Sequence, residues 1–263
     1  VFRLKEDQEH KKLNTVSTRY VFIFVTVMTT IVAVLLTGFR QATKAQAELN
    51  EGIFNKRAIL SAVEDYLGSD KTVADLTDDD VVKIFGEGSE YGKVDQVVLN
   101  MSGQPLDGVQ ADEIDMAQEK KKPEAQRRLP LYVYNQGGEQ YYILSVRGTG
   151  LWDAIWGNIA LKSDLNTIVG AAFDHAGETP GLGAEIKDNP SFAAQFKGKE
   201  IYDDGRYVSV AVRKGGAQDP EHEVDAISGA TVTSDGVSDM LYNGIQNYEP
   251  YFKTIRQSSM LIK

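Results

Sequence analysis

Three segments rich in glycine and hydroxyl side chains hold most of the residues that could do chemistry: 147–157 (RGTGLWDAIWG), 175–185 (HAGETPGLGAE) and 225–234 (DAISGATVTS). The last sets Ser228, Thr231, Thr233 and Ser234 just ahead of a stretch with helical spacing. Hydroxyls and unpaired backbone N–H groups at a helix N-terminus stabilise a phosphate dianion, aided by the helix dipole. The same residues could serve only as helix caps. In the middle segment, Thr179-Pro180-Gly181 reads as a tight turn, and Gly181 and Gly183 would let backbone approach a planar ligand. On composition alone an ordinary structural loop is the favoured reading. Trp152 and Trp156 in the first segment either fill a core or present one indole to a cofactor.

Other chemistries find little support. No GxxxxGK[ST] phosphate loop is present, and Gly181-Leu182-Gly183 begins a dinucleotide fingerprint that Ile186 breaks at the third glycine position. There is no GxSxG elbow. His175 and Glu178 stand three apart, but zinc usually takes three protein ligands, and beyond the N-terminal segment the only other histidine is His222, so no metal is expected. The chain has no cysteine, which excludes disulfides, thiolate-ligated clusters and thiol nucleophiles. A hydrolase using Ser228 or Thr231 as nucleophile would need a base that so few histidines hardly supply.

Residues 20–39 (YVFIFVTVMTTIVAVLLTGF) carry no charge and lie between Arg19 and Arg40. At about 1.5 Å per residue they span roughly 30 Å, a bilayer's hydrocarbon core. Ala45-Gln46-Ala47 resembles a signal-peptide cleavage site, but the apolar run exceeds the usual length of about 7–15 residues, so an uncleaved anchor is expected. Apolar side chains on every face suit lipid better than a protein core. Arg3, Lys5, Lys11, Lys12 and Arg19 precede the run; Arg40, Lys44, Lys56 and Arg57 follow it. That small excess predicts a cytoplasmic N-terminus. The run holds no carboxylate and so no evident ion ligand. Residues 1–40 carry six basic and three acidic side chains, which leaves the remainder more negative than the whole chain's −10. So acidic a domain repels phosphate backbones, and nucleic acid is not an expected partner.

The elements that must position the three segments are mixed. Helical spacing runs through 41–67, and Thr77 caps a short acidic-fronted helix to Phe85. Strands are expected at 94–100, at 129–135 and 140–147 as a hairpin about Gly137-Gly138, and at 155–161, 167–174 and 206–213. The charged stretch 119–128 reads as surface. Pro190 opens a short helix, and a final helix carries Val237, Met240, Leu241, Gly244, Ile245 and Tyr248, with Ser234 as its cap and Pro250 past its end. Strands and helices without βαβ alternation predict an α+β fold behind one N-terminal transmembrane helix. The expected division is 1–19 as a cytoplasmic segment, 20–39 as the membrane helix, 40–128 as a membrane-proximal helical and mixed region, and 129–263 as the domain holding the three segments.

Asp225, Ser228, Gly229, Ala230 and Thr231 match Asp-x-x-Ser/Thr-Gly-Ala-Thr at every position, and 175–183 (HAGETPGLG) matches a second block in the expected order. In these two blocks the chain resembles the FMN-binding domain family. The resemblance implies FMN held covalently through its phosphate on Thr231, with Asp225, Ser228, Gly229 and Ala230 as recognition residues. It implies further cofactor contacts from Trp152, His175, Glu178, Thr179, Gly181, Leu182, Gly183, Val232 and Thr233, and no catalytic residue beyond the redox flavin. A flavin transferase would supply the FMN from FAD, releasing AMP, and 129–263 would be the FMN-binding domain, on the periplasmic side of a bacterial inner membrane. Two subunits of bacterial membrane complexes share this plan, one in a sodium-translocating NADH:quinone reductase and one in an Rnf-type ferredoxin:NAD+ oxidoreductase. The stretch of about ninety residues between the apolar run and Leu129, together with GTGLWDAIWG, is similar to the first. The implied role is an electron relay among the other subunits of that oxidoreductase. From the residues alone, an anchored non-redox binding or scaffold domain stays open.

Overall fold

A computed structural model describes residues 17–68 and 71–261, with side chains described as far as residue 258. Arg3, Lys5, Lys11 and Lys12, and most of the segment expected in the cytoplasm, lie outside the described residues. The chain divides into two compact units, residues 1–51 and 52–263.

In the first unit the described residues after Ser17 belong to helix α1 (Thr18–Leu60), long and apolar enough to cross a membrane. Residues 20–39 lie inside it and are exposed on every face, as suits a lipid-facing span. The helix runs on through Gly52 and ends in the second unit at Leu60, where a 3-10 turn, Ser61–Tyr66, takes over.

The second unit follows in chain order as α2 (Asp78–Ile84), β1 (Lys93–Asn100), β2 (Pro105–Leu106), α3 (Met116–Glu119), β3 (Arg128–Gln136), β4 (Glu139–Thr149), β5 (Ala154–Lys162), β6 (Ile168–His175), α4 (Glu185–Asp188), α5 (Pro190–Ala194), β7 (Tyr202–Asp203), β8 (Arg206–Tyr207), β9 (Ala211–Arg213), β10 (Glu223–Asp225), α6 (Thr231–Gln246) and α7 (Glu249–Leu261). Six strands form one antiparallel sheet in the order β2-β1-β3-β4-β5-β6, which makes the domain α+β. Strand β1, from the region before residue 129, pairs with β3 along its whole length.

Strand alternation divides the core in two. Leu131, Val133, Tyr142, Leu144 and Val146 face one cluster with Val237, Met240, Leu241 and Ile245 of α6. Tyr132, Tyr134, Tyr141 and Ile143 face the other, with Leu60, Val63, Val81 and Ile84. Each large aliphatic so buried contributes about 1.5–3 kcal/mol. Helix α6 lies very close to β4: a Cβ on Gly236 would run into the carbonyl oxygen of Thr149, and one on Gly148 would come within 2.6 Å of Met240 Cβ. Larger residues at either position would lift the helix and displace its N-terminus.

Four local expectations differ from the structure. Stretch 206–213 is not one strand, because Ser209 at φ +63° breaks it into β8 and β9. Ser234 does not cap the final helix: α6 starts three residues earlier with Ala230 at the N-cap, and the Ser234 side chain is buried. Pro250 falls in the first turn of α7, where its missing N–H costs nothing, so the chain continues as a second helix. Within the stretch expected at the surface, Glu119 is buried.

Candidate functional site

The three segments meet at one end of the sheet. Segment 147–157 makes the turn between β4 and β5, closed by the Gly150 N–H donating to the Asp153 carbonyl at 2.8 Å. Segment 175–185 leaves β6 and loops into α4, and segment 225–234 leaves β10 and enters α6. The latter two pass so closely that a Cβ on Gly229 (φ +83°) would lie 2.9 Å from the carbonyl oxygen of Gly181.

Helix α6 opens without a side-chain cap. Among the described residues, the backbone N–H groups of Thr231, Val232 and Thr233 donate to no acceptor, and the first bonded amide is Ser234, to the Ala230 carbonyl at 2.9 Å. Three orphan donors and the positive end of a sixteen-residue helix thus lie beside Thr231, with Val232 exposed, Thr231 half-buried and Thr233 buried. The neighbouring hydroxyls are not equivalent. Thr233 Oγ1 is buried and donates to Glu178 Oε2 at 2.7 Å. Ser234 Oγ is buried and accepts from the Ile227 N–H at 3.3 Å. Thr231 is half-buried and Ser228 exposed, and among the described residues neither hydroxyl makes a hydrogen bond. Only Thr231 combines an unbonded hydroxyl with a place on the helix terminus.

Glu178 joins all three segments. Its Oε1 accepts from the N–H groups of Trp152 (2.9 Å) and Asp153 (3.3 Å), and its Oε2 from Leu151 N–H (3.3 Å) as well as Thr233. Burial favours the neutral acid, but the Thr233 hydroxyl and the amides of Trp152, Asp153 and Leu151 together outweigh it and hold the carboxyl below the usual glutamate range. Its own N–H donates to His175 Nδ1 at 3.1 Å, which places the imidazole proton on Nε2. Glu185 ties its own loop in the same way on a smaller scale, its carboxylate accepting from the N–H groups of Gly181 and, at 3.1 Å, Gly183. The Gly181 amide is the main reason its carboxyl is also depressed.

Around this hub the apolar side chains point outward. Trp152 is 67% exposed, which answers whether it fills the core: it does not. Leu182 (41%) and Val232 (53%) are exposed as well, as is Leu151 beside Trp152. Trp156 is half-buried, with the Arg147 guanidinium 5.2 Å from its ring centre. Of the residues expected at the site, Trp152, Glu178, Leu182, Gly183 and Thr233 are linked through Glu178 and Thr233, and Gly181 meets Gly229. Thr179 shapes the loop through its carbonyl, which accepts from Leu182 and Ala184. Asp225 stands apart, its carboxylate accepting from the Ala217 N–H at 2.7 Å and its own N–H donating to Gln195 Oε1 at 2.8 Å. Sequence reasoning missed Leu151 and Glu185; an acid four residues after Gly181 was the only local sign of the latter.

Orphan N–H donors at a helix N-terminus, an unbonded threonine hydroxyl and an outward apolar rim fit a ligand with a phosphate at one end and a flat ring at the other. Residues 150–246 match the family model of the FMN-binding domain, and they contain the whole of this arrangement. The chain is 37% identical over 157 residues to the C subunit (NqrC) of the Na(+)-translocating NADH-quinone reductase of Vibrio anguillarum, covering 57% of this chain and 61% of that protein. It is 43% identical over 122 residues to the NqrC of Pseudomonas aeruginosa, covering 44% of this chain and 46% of that protein. The matched part thus spans about half the length of these two curated relatives. The crystal structure of the same reductase subunit from Parabacteroides distasonis superposes with a TM-score of 0.68 at 33% identity, covering 80% of this chain and 96% of that one. The chain belongs to the NqrC family of Na(+)-translocating NADH-quinone reductase subunits.

Proposed function

We propose that the chain is an electron-carrying subunit of a Na+-translocating NADH:quinone oxidoreductase, anchored by residues 20–39, with FMN esterified through its phosphate to Thr231. Residues 1–19 lie in the cytoplasm on this reading, and the FMN-binding domain lies in the periplasm of a bacterial inner membrane. The observation that carries it is the uncapped start of α6, with three orphan N–H groups beside the single unbonded hydroxyl on the helix terminus. The phosphodiester anion there, carrying one negative charge, gains about 0.3–1 kcal/mol from the helix dipole, beyond its hydrogen bonds.

A flavin transferase acting on FAD is the partner for maturation. The Thr231 oxygen would gain a bond to the FMN phosphorus as the diphosphate bond breaks, AMP leaving with the freed phosphate oxygen and the hydroxyl proton passing to it or to solvent. When bound, FMN supplies one- and two-electron redox chemistry, so it can link donors and acceptors of different electron number. The chain's own residues do the rest. The N–H groups of Thr231, Val232 and Thr233 would hold the phosphate, Trp152, Leu182 and Val232 would offer apolar surface to the ring, and Gly181 and Gly183 would let the loop's backbone approach it. Asp225, Ser228, Gly229 and Ala230 are the residues the transferase reads. Glu178, ionised and surrounded by donors, serves as an anchor for backbone rather than as a proton carrier.

The test is flavin fluorescence that survives denaturing electrophoresis after co-expression with a flavin transferase. Thr231→Ala abolishes the band, whereas Ser228→Ala and Thr233→Ala keep one, at whatever yield; a labelled Thr231→Ala chain contradicts the assignment. For topology, protease added to intact spheroplasts removes the large domain, and full protection reverses the orientation.

A further inference from the structure

We propose that Glu178 is the positioning residue of the flavin seat: its carboxylate ties the turn carrying Trp152 to Thr233 on α6, and so fixes the ring-side turn relative to Thr231. The occupant rests on the FMN reading above; the clamp itself rests on geometry alone.

Glu178 is 6% exposed, and its four donors come from two chain segments other than its own. Three of them are the successive amides of Leu151, Trp152 and Asp153, converging on one anion as in a backbone nest. The fourth, Thr233, lies two residues beyond Thr231 in the first turn of α6. Space is cleared for the carboxylate on both sides. A Cβ on Gly150 would come within 2.6 Å of Oε1, and one on Gly183 within 2.7 Å of Oε2 and against the Thr233 hydroxyl. Behind the carboxylate, His175 Nδ1 accepts the Glu178 N–H and sets the loop from which the side chain leaves.

The turn so held does not stabilise the fold through its own side chains, because Leu151, Trp152 and Asp153 are all exposed. The charge is satisfied by its four donors, so what the carboxylate fixes is the backbone of a turn whose side chains are left facing outward, as a binding face requires. Its neighbours on that face are Leu182, whose carbonyl oxygen lies 3.3 Å from Thr233 Oγ1, and the start of α6.

The donor set makes the outcome of substitution specific. In Glu178→Gln the amide oxygen can keep the Trp152 and Asp153 N–H groups while its NH2 faces Thr233. The threonine hydroxyl can then turn to donate to the Leu182 carbonyl and accept from the glutamine, leaving only the long bond from Leu151 unmade. In Glu178→Ala all three amides lose their partner, and the hydroxyl keeps only the Leu182 carbonyl.

The experiment uses the full chain in detergent, with and without covalent FMN. In the unlabelled Thr231→Ala background, hydrogen exchange at the amides of Leu151, Trp152 and Asp153 accelerates about tenfold or more in Glu178→Ala. Glu178→Gln restores protection at Trp152 and Asp153. In the labelled chain, Glu178→Ala lowers the fluorescence anisotropy of the attached flavin and Glu178→Gln returns it. Val81→Ala, which removes buried volume from the other core cluster, lowers the melting temperature while leaving both readouts unchanged. Unaltered exchange at 151–153 in Glu178→Ala overturns the clamp. Altered exchange with a flavin as immobile as in the parent overturns its role in the seat. A parent chain that never takes up FMN, with altered exchange in Glu178→Ala, overturns the FMN reading and leaves the clamp standing.

Discussion

Among the described residues two glutamates are buried, Glu119 and Glu178, and the donors around them differ in kind. Glu119 receives Arg128 Nη2 and Lys122 Nζ, each at 2.7 Å, together with the Arg128 N–H at 3.1 Å. Burial pushes its carboxyl up, but Arg128 and Lys122 outweigh that and bring it below the usual range. Two cations neutralise it, and it fastens α3 to the start of β3, well away in sequence from the three glycine-rich segments. Glu178 receives only neutral donors, so its charge is solvated by the fold without being cancelled. A salt-bridged carboxylate can join surfaces and let its partners relax into water when it is lost. A carboxylate held by backbone amides dictates the conformation of the turn that supplies them, which is what a binding site needs.

The widest separation between the two should come from truncation. Glu178→Ala leaves three part-buried backbone donors without their acceptor and is expected to cost about 3 kcal/mol in chemical denaturation, whereas Glu119→Ala, whose partners are 34% and 37% exposed, costs about 1–2 kcal/mol. Equal losses would remove the distinction.

Acid should sharpen it. Both carboxyls are depressed in the folded state, so each contributes stability that is complete above the ordinary glutamate value of 4.5 and is lost as pH falls through the folded value. Glu223, pulled to about 2 by the Gln218 amide first and then by Arg213 and the Asp219 amide, extends that limb downward. Glu178→Gln should flatten the loss of stability below pH 4.5. An unchanged acid limb would mean that the Glu178 carboxyl is not depressed.

Salt gives the smallest effect and the cleanest contrast. Raising ionic strength to about 1 M shortens the screening length to about 3 Å, which weakens the partly exposed pairs at Glu119 and leaves the amide bonds at Glu178 nearly unaffected. The stability difference between the parent and Glu119→Gln should therefore shrink with salt, and that between the parent and Glu178→Gln should not.

The same contrast shows which features were legible in the sequence. The apolar run and the hairpin at Gly137-Gly138 depend on neighbours within a few positions, and period or spacing displays them, as the succession of strands and helices displays the α+β class; the Thr231 motif is visible only as a resemblance. Glu119 read as surface because its partner Arg128 lies nine positions away and a run of charges looks solvated. Glu178 stood in a matched block, but its donors are backbone amides 25 to 27 positions distant and a hydroxyl 55 positions distant, and no residue type marks an amide. Pro250 reads as a stop because the same residue that ends one helix opens α7. Ser234 reads as a cap because its hydroxyl is what caps commonly use, yet here that hydroxyl serves Ile227 inside the fold and leaves the helix terminus bare.

That bare terminus is where the flavin is proposed to attach, and peptide mapping of the chain purified after co-expression with a flavin transferase tests it most directly. Trypsin should release residues 215–253 carrying the mass of one FMN less one water, with fragment ions placing the addition on Thr231. An unmodified peptide, or an addition on Ser228 or Thr233, would contradict it.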